Sequence, residues 1–212
     1  MERHTTSVAA MAAHPSRPAI DSLTAVRSVV AQAFCADPLL VWLFPEDDRR
    51  LDATAAWLGL FVEAYAAAAR VDTIEEDGTI VAASVWREAI AERPPFAYLP
   101  SVGGLLRAFV GAERMADLGT GFGALGAAHP DHPHAYVQLL AVAPPHQGRG
   151  LGCRVLRACL DESDEAGEGV YLETMTERNV RFYRSLGFGV ANELDLGPAG
   201  PHVWTMYRQP RA

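Results

Sequence analysis

The chain has 212 residues, half of them hydrophobic and about a fifth charged, a balance that suits one soluble domain with a full core. Net charge is -8 with no basic stripe to offset it, which excludes nucleic acid as an expected partner. No run approaches the roughly 18 apolar residues that a membrane helix needs, so no membrane partner is expected.

Val8–Ala13 is too short and too weakly apolar for a signal-peptide core. Residues 1–16 read as a loose tail and 17–210 as one domain. The three cysteines, Cys35, Cys153 and Cys159, lack CxxC spacing, which fits reduced thiols in a cytoplasm better than a disulfide framework or zinc site.

From Asp21 the pattern is helical: Asp21 or Ser22 can cap, and Leu23, Val26, Val29, Val30 and Phe34 share one face. Pro38 and Pro45 bracket an aromatic-rich segment that a long helix does not traverse. A second helix is expected over Arg50–Arg70, with Trp57, Leu58, Phe61 and Tyr65 on its apolar side. Two strand-like runs, Val71–Glu76 and Thr79–Trp86, flank Asp77-Gly78, a strong hairpin signal. Residues 87–133 are broken by Pro94, Pro95 and Pro100, with a helical pattern over Gly103–Leu118 and a glycine-rich stretch over Gly119–Gly126. Beyond them come a strand (Ala135–Val142), a helix (Gly150–Ala166), a strand (Val170–Met175), a helix (Arg178–Leu186) and two strands near Gly189–Leu194 and His202–Tyr207. The order predicts a mixed α/β sheet covered by helices.

The segment Gln147-Gly148-Arg149-Gly150-Leu151-Gly152 links a strand to a helix. Glycines at alternate positions leave backbone N–H groups unobstructed at a helix N-terminus, where the dipole and orphan donors attract an anion. Two better-known phosphate loops are excluded. Cys153-Arg154 follow Gly152 where a P-loop needs Lys-Ser/Thr, and Cys153 stands where a dinucleotide fingerprint needs its third glycine.

Together with Leu140-Ala-Val142 and Pro144 before it, this segment resembles the GNAT acetyltransferase signature Q/R-x-x-G-x-G/A. Leu172-Glu-Thr174, Asn179…Phe182-Tyr183 and Leu186-Gly-Phe188 are similar to the family's next strand, helix and closing Gly-Phe. His129-Pro130 and Pro133-His134-Ala-Tyr136 resemble the HPxxPHWYL lead-in of one branch, with alanine where tryptophan is usual. Arg17-Pro18-Ala19, Ala33-Phe34…Asp37-Pro38…Trp42-Leu-Phe-Pro45 and Trp204-Thr-Met206 extend the resemblance over most of the chain.

The resemblance implies a single GNAT-like domain with a splayed strand at an acyl-CoA site and acetyl-CoA as co-substrate. Backbone groups of Leu140, Ala141 and Val142 would pair with the pantetheine amides and donate to the thioester oxygen. Gln147, Gly148, Arg149, Gly150, Leu151 and Gly152 would cradle the pyrophosphate, and Asn179 would hold the cofactor arm or cap its helix. Tyr183 occupies the position of the general acid. Glu173 is the first candidate base and His134 the second, by virtue of its intrinsic pKa.

Trp42, Phe44, Trp57 and Tyr65, with residues 94–126, are candidates for the acceptor pocket. The expected acceptor is a primary amine of a small molecule, an aminonucleoside-like antibiotic included. The alternatives are a protein or peptide amine, or a non-catalytic acyl-CoA-binding regulator. No metal is expected, since His129, His132 and His134 lack a companion acidic or cysteine cluster. A homodimer is left open.

Overall fold

The computed structural model describes residues 15–89, 101–197 and 199–211. Residues 1–14 of the expected tail, and Pro94, Pro95 and Pro100, lie outside the described residues. At the end of that tail Ser16 is tied to the sheet: its N–H and carbonyl pair with Thr73 at 2.9 and 2.8 Å.

Helix α1 spans Leu23–Phe34 and buries Val26, Val29 and Val30, the expected stripe. Ser22 sits at its N-cap in helical conformation and makes no side-chain cap bond, because a 3-10 turn over Ile20–Ser22 leads into the helix. Pro38 opens a short helix, α2 (Pro38–Leu43), where its fixed φ and missing N–H do no harm. Asp37 caps this helix, accepting from Leu39 N at 2.9 Å. Helix α3 (Asp47–Ala68) starts three residues before the expected Arg50, with Asp47 and Asp48 at its positive end. Arg50 is buried instead, donating to the carbonyls of Phe44 and Pro45 at 2.7 and 2.8 Å, and so fixes the α2–α3 corner.

Strands β1 (Arg70–Glu76) and β2 (Thr79–Arg87) form the predicted hairpin. Asp77 (φ 50°) and Gly78 (φ 74°) are both left-handed, as a tight primed turn requires. The expected helix over 103–118 is two helices, α4 (Ser101–Val110) and α5 (Ala112–Ala127), parted at Gly111 with φ 81°. Helix α5 runs straight through the glycine-rich stretch. A Cβ on Gly121 would stand 2.5 Å from Leu196 O, so the small residue lets this helix lie directly on the backbone after β5. Then follow β3 (Ala135–Val142), α6 (Leu151–Ala166), β4 (Val170–Thr174), α7 (Glu177–Ser185), β5 (Gly189–Asp195) and β6 (His202–Arg208).

The six strands are ordered β1-β2-β3-β4-β6-β5, with β3 and β4 parallel and all other neighbours antiparallel. One face packs on α6 and α7 through Val137, Val170, Leu172 and Met206 against Leu156, Cys159, Val180 and Tyr183. The other packs on α1, α3, α4 and α5 through Val71, Val85, Leu139 and Ala141.

Register shifts also occur between β1 and β2 and between β5 and β6, but the one that bears on the site lies in β3. Opposite β2, the pairing jumps from Trp86↔Val137 to Val85↔Leu139, so Gln138 is an extra residue in β3. Such a bulge bends the strand that carries it. Beside β4, only Ala135↔Val170 and Tyr136↔Tyr171 pair, and the strands part beyond them. This is the predicted splay.

Candidate active site

A cavity of about 650 Å³ lies beside the end of β3, beyond the point where that strand parts from β4. The C-terminal end of α1 and Asp37 close one side. Leu140 and Val142 of β3, the turn from Gln147 to Gly152, and Thr176, Arg178, Asn179, Phe182 and Tyr183 close the other. Gly148 and Gly150 have φ of 76° and 77°, and Gly150 is the N-cap of α6 in the left-handed region. Nothing lies within 4 Å of where their Cβ atoms would be, so glycine is required there by conformation and the backbone faces open space. The α6 donors before Arg154, whose N–H closes the first turn on Gly150 O, have no intrahelical partner and point at the cavity mouth. Gly152 differs from its neighbours in being helical, within α6. Its Cβ would stand 3.4 Å from the Phe182 ring and 3.7 Å from Val142, so its smallness sets how closely α6 approaches α7.

The turn holds itself together. Gln147 Nε2 donates to Val142 O at 3.1 Å, occupying a β3 carbonyl that the resemblance assigned to the cofactor arm. Asn179 lines the cavity, while its N–H donates the cap bond to Thr176 Oγ1 at 3.3 Å. Ala141 turns its side chain into the α1–α3 core, so any ligand contact it makes is through backbone.

Arg149 is placed elsewhere. It grips Glu76 at the end of β1 with both terminal nitrogens (2.9 and 3.1 Å), approaches His146, and does not line the cavity. Among the described lining residues the basic side chain is Arg178 and the acidic one is Asp37, and neither was expected at the site from sequence. Burial raises the Asp37 carboxyl to about 6, against one lowering bond from Leu39 N–H. Its Asp-Pro context signals a helix cap, and only the tertiary contact reveals that it also faces a cavity.

Tyr183 lines the same cavity, with its ring edge-on to Phe182 and Phe188. Burial first, and the Asp37 charge second, push its phenol well above the ordinary value, so it stays protonated at any working pH. Among the described residues its hydroxyl has no hydrogen-bond partner.

Glu173 lies on β4 two residues beyond the last β3–β4 pair, at the edge of the gap. It does not line the 650 Å³ cavity but faces the α3 side of the sheet. Tyr136 Oη donates to its Oε2 at 2.7 Å, and His129 Nδ1 stands 3.6 Å from its Oε1. Tyr171 Oη is buried beside Glu173 without hydrogen-bond geometry. His134 is not an alternative at a separate place: its Nε2 is 3.0 Å from His129 Nε2, so both candidate bases belong to one cluster. Burial is the main cause that lowers the His134 pKa, and its Nδ1 is 2.7 Å from His132 O.

Of the aromatic acceptor candidates, Trp57 and Tyr65 are core residues. The Trp57 indole donates to Val102 O, and the Tyr65 hydroxyl donates to Gln138 Oε1 at the bulge. Trp42 packs under Arg114, which also donates to its carbonyl. Phe44 lines a second cavity of about 570 Å³ with Arg49, Asp52, Phe109 and Arg114, away from the glycine turn. Among the described residues no group of three or more His, Cys, Asp or Glu could hold a metal ion, and no helix is long and apolar enough to cross a membrane.

A mixed six-stranded sheet, split at its parallel pair and flanked by a glycine turn feeding a helix N-terminus, is the acyltransferase fold that the motifs imply. The Acetyltransferase (GNAT) family model matches residues 31–188, and the chain belongs to that family. N-alpha-acetyltransferase RimI of Mycobacterium tuberculosis is 35% identical over 98 residues, covering 45% of this chain. The match spans 60% of that relative's length.

Among solved structures, a histone acetyltransferase HPA2 and related acetyltransferase from Corynebacterium glutamicum superposes with a TM-score of 0.67 at 22% identity. It covers 95% of this chain and 98% of that one. The ribosomal-protein-S18-alanine N-acetyltransferase of Escherichia coli gives 0.55 at 16% identity, covering 93% and 94%. At these identities the structures speak for the fold alone.

Proposed function

We propose that the chain is an acetyl-CoA-dependent N-acetyltransferase acting on a primary amine by direct attack. The observation that carries this reading is one cavity, beside the end of β3, that joins the Gly148–Gly152 turn to a Tyr183 hydroxyl with no partner among the described residues. The residues present fit the co-substrate. Free N–H groups at the α6 N-terminus and the Arg178 guanidinium suit a diphosphate, and the unpaired edge of β3 suits an amide-bearing arm.

Bound acetyl-CoA would supply the thioester acyl group. Glu173 takes a proton from the acceptor ammonium, which is necessary because an amine is mostly protonated near neutral pH. Main-chain N–H groups of β3 beyond the bulge polarise the acyl oxygen without reorganising. Tyr183 donates a hydrogen bond to the departing sulfur. A reference thiol near 8.5 and phenol near 10 make full proton transfer uphill by about 2 kcal/mol. Burial of Tyr183 widens that gap, so donation matters in the transition state and the thiolate completes its protonation from solvent.

Two acceptor classes follow from different observations. The match to an N-alpha-acetyltransferase favours a peptide α-amine. The likeness of Phe182-Tyr183…Gly187-Phe188 and Trp204-Thr-Met206 to puromycin N-acetyltransferase favours a small amine, although neither RimI nor the two structural neighbours above is named for antibiotic modification. Incubating the protein and acetyl-CoA with alanine-led peptides, polyamines and puromycin, with free thiol as readout, separates them. Tight acetyl-CoA binding with no turnover on any amine would make the protein an acyl-CoA-binding regulator.

A further inference from the structure

The His129–His134 pair has no part in the reading above, yet its geometry fixes where protons sit. His134 Nδ1 is 2.7 Å from the His132 carbonyl, which only accepts, so Nδ1 carries the hydrogen. His134 is buried, and the nearby charges of His129, Arg87 and His132 all oppose a second proton on it. Its Nε2 is therefore a bare acceptor, and His129 Nε2, 3.0 Å away, must be the donor. In a singly protonated His129 ring Nδ1 is then the bare nitrogen, and it faces Glu173 Oε1 at 3.6 Å. Two acceptors face each other there, with room for one proton between them.

We infer that His129 is the second half of the base: a proton taken by Glu173 is passed to His129 Nδ1 and goes from that nitrogen to water reaching the part-exposed ring. The inference rests on the reading that Glu173 deprotonates the acceptor. The proton balance asks for such a store. An ammonium R–NH3⁺ that becomes R–NH–CO–CH3 sheds two protons as its C–N bond forms and the C–S bond breaks. One ends on the coenzyme A sulfur and one in solvent, but Glu173 alone holds one at a time. Handing the first to His129 restores the carboxylate for the second.

The surroundings suit this division. The His129 side chain is 27% exposed against 10% for Glu173, so His129 is the member with a route out. Tyr136 donates to Glu173 Oε2, leaving Oε1 for His129. The other titratable or charged groups around the pair are Tyr65 from α3, Arg87 from β2, Tyr171 from β4, and His132 with its partner Tyr207 from β6. His134 is a positioning residue, holding His129 in the one tautomer that leaves Nδ1 free.

The test uses the full chain with an alanine-led hexapeptide and puromycin as acceptors. His129→Gln can still donate to His134 but cannot take up a proton. It should bind acetyl-CoA normally, fall about 10–100-fold in kcat, and recover several-fold when free imidazole is added, a dependence the parent lacks. A His129→Gln protein with parental kcat and no imidazole response overturns the inference. Glu173→Gln keeps the two readings apart: parental turnover there removes the Glu173 base itself, whereas loss there with none in His129→Gln removes only the relay.

Should His129→Gln fail to fold, His134→Asn takes its place: it removes only the acceptor of His129 and should lower kcat about tenfold with KM unchanged, and parental kcat again overturns the inference. A readout free of turnover is the 15N pattern of the histidine rings near pH 8. It should show His134 protonated on Nδ1 and His129 on Nε2, and the reverse tautomers overturn the inference.

Discussion

The glycine turn at Gln147–Gly152 and the Glu173–His129–His134 cluster sit at the two ends of the same split in the sheet, and they are built in opposite ways. The turn is local: eleven residues from Val142 to Gly152 supply the strand end, two left-handed glycines and the helix N-terminus, all of them features of the main chain. The cluster is assembled from afar. Tyr65, Arg87, His129, Tyr136 and Glu173 come from α3, β2, the α5–β3 connection, β3 and β4, and meet because the Gln138 bulge and the parting of β3 and β4 leave room. A site made of backbone is readable from spacing; one made of distant side chains is not.

Four substitutions would break or sharpen that contrast. The largest effect is expected at Tyr183, which packs locally on α7 and for which we propose a role across the cavity. Tyr183→Phe keeps the ring contacts with Phe182 and Phe188 and should lower the single-turnover rate by about 10²–10⁴-fold, leaving acetyl-CoA affinity in place. A parental single-turnover rate would reduce Tyr183 to a core residue.

Next is Asp37, whose carboxyl is raised to about 6 from 3.8. The fold favours its protonated form, so that contribution is fully present below about pH 4 and is lost as pH rises through 6. An asparagine in its place would keep the cap on Leu39 N without the charge. Asp37→Asn should therefore match the parent at pH 4 and be more stable at pH 8, by on the order of 2–3 kcal/mol. Thermal unfolding at the two pH values measures it, and an unchanged difference between them would show that the carboxyl is not buried at a cost.

Gly150→Val places a branched side chain at φ 77°, a strain on the order of 1–2 kcal/mol, and crowds the open face of the turn. The protein should fold and lose at least about tenfold in acetyl-CoA affinity by calorimetry; undiminished binding would move the diphosphate elsewhere.

The smallest effect belongs to Arg149, held by Glu76 on the outer side of the turn. As an exposed ion pair it is worth little, and Arg149→Ala should change acetyl-CoA affinity by less than about threefold. A tenfold loss would mean that Arg149 swings onto the ligand.

The sequence alone determined the six strands, the Asp77-Gly78 hairpin and the glycine turn after β3, because period-2 and period-3.6 patterning and left-handed glycines are properties of a few adjacent residues. It left the glycine-rich stretch 119–126 without an element, and only the packing of Gly121 on the Leu196 backbone shows why a small residue suits α5 there. It named Glu173 for its place at a strand end and His134 for its intrinsic pKa; that both meet His129 is a fact of three-dimensional packing. The same holds for Arg149 and Arg178. Their spacing from the turn favoured the first, and the reach of Glu76 from β1 decided for the second. Local dihedral preference is written in consecutive residues, whereas the partner of a long side chain is set by whichever distant element the fold brings close, and only the tertiary structure supplies that.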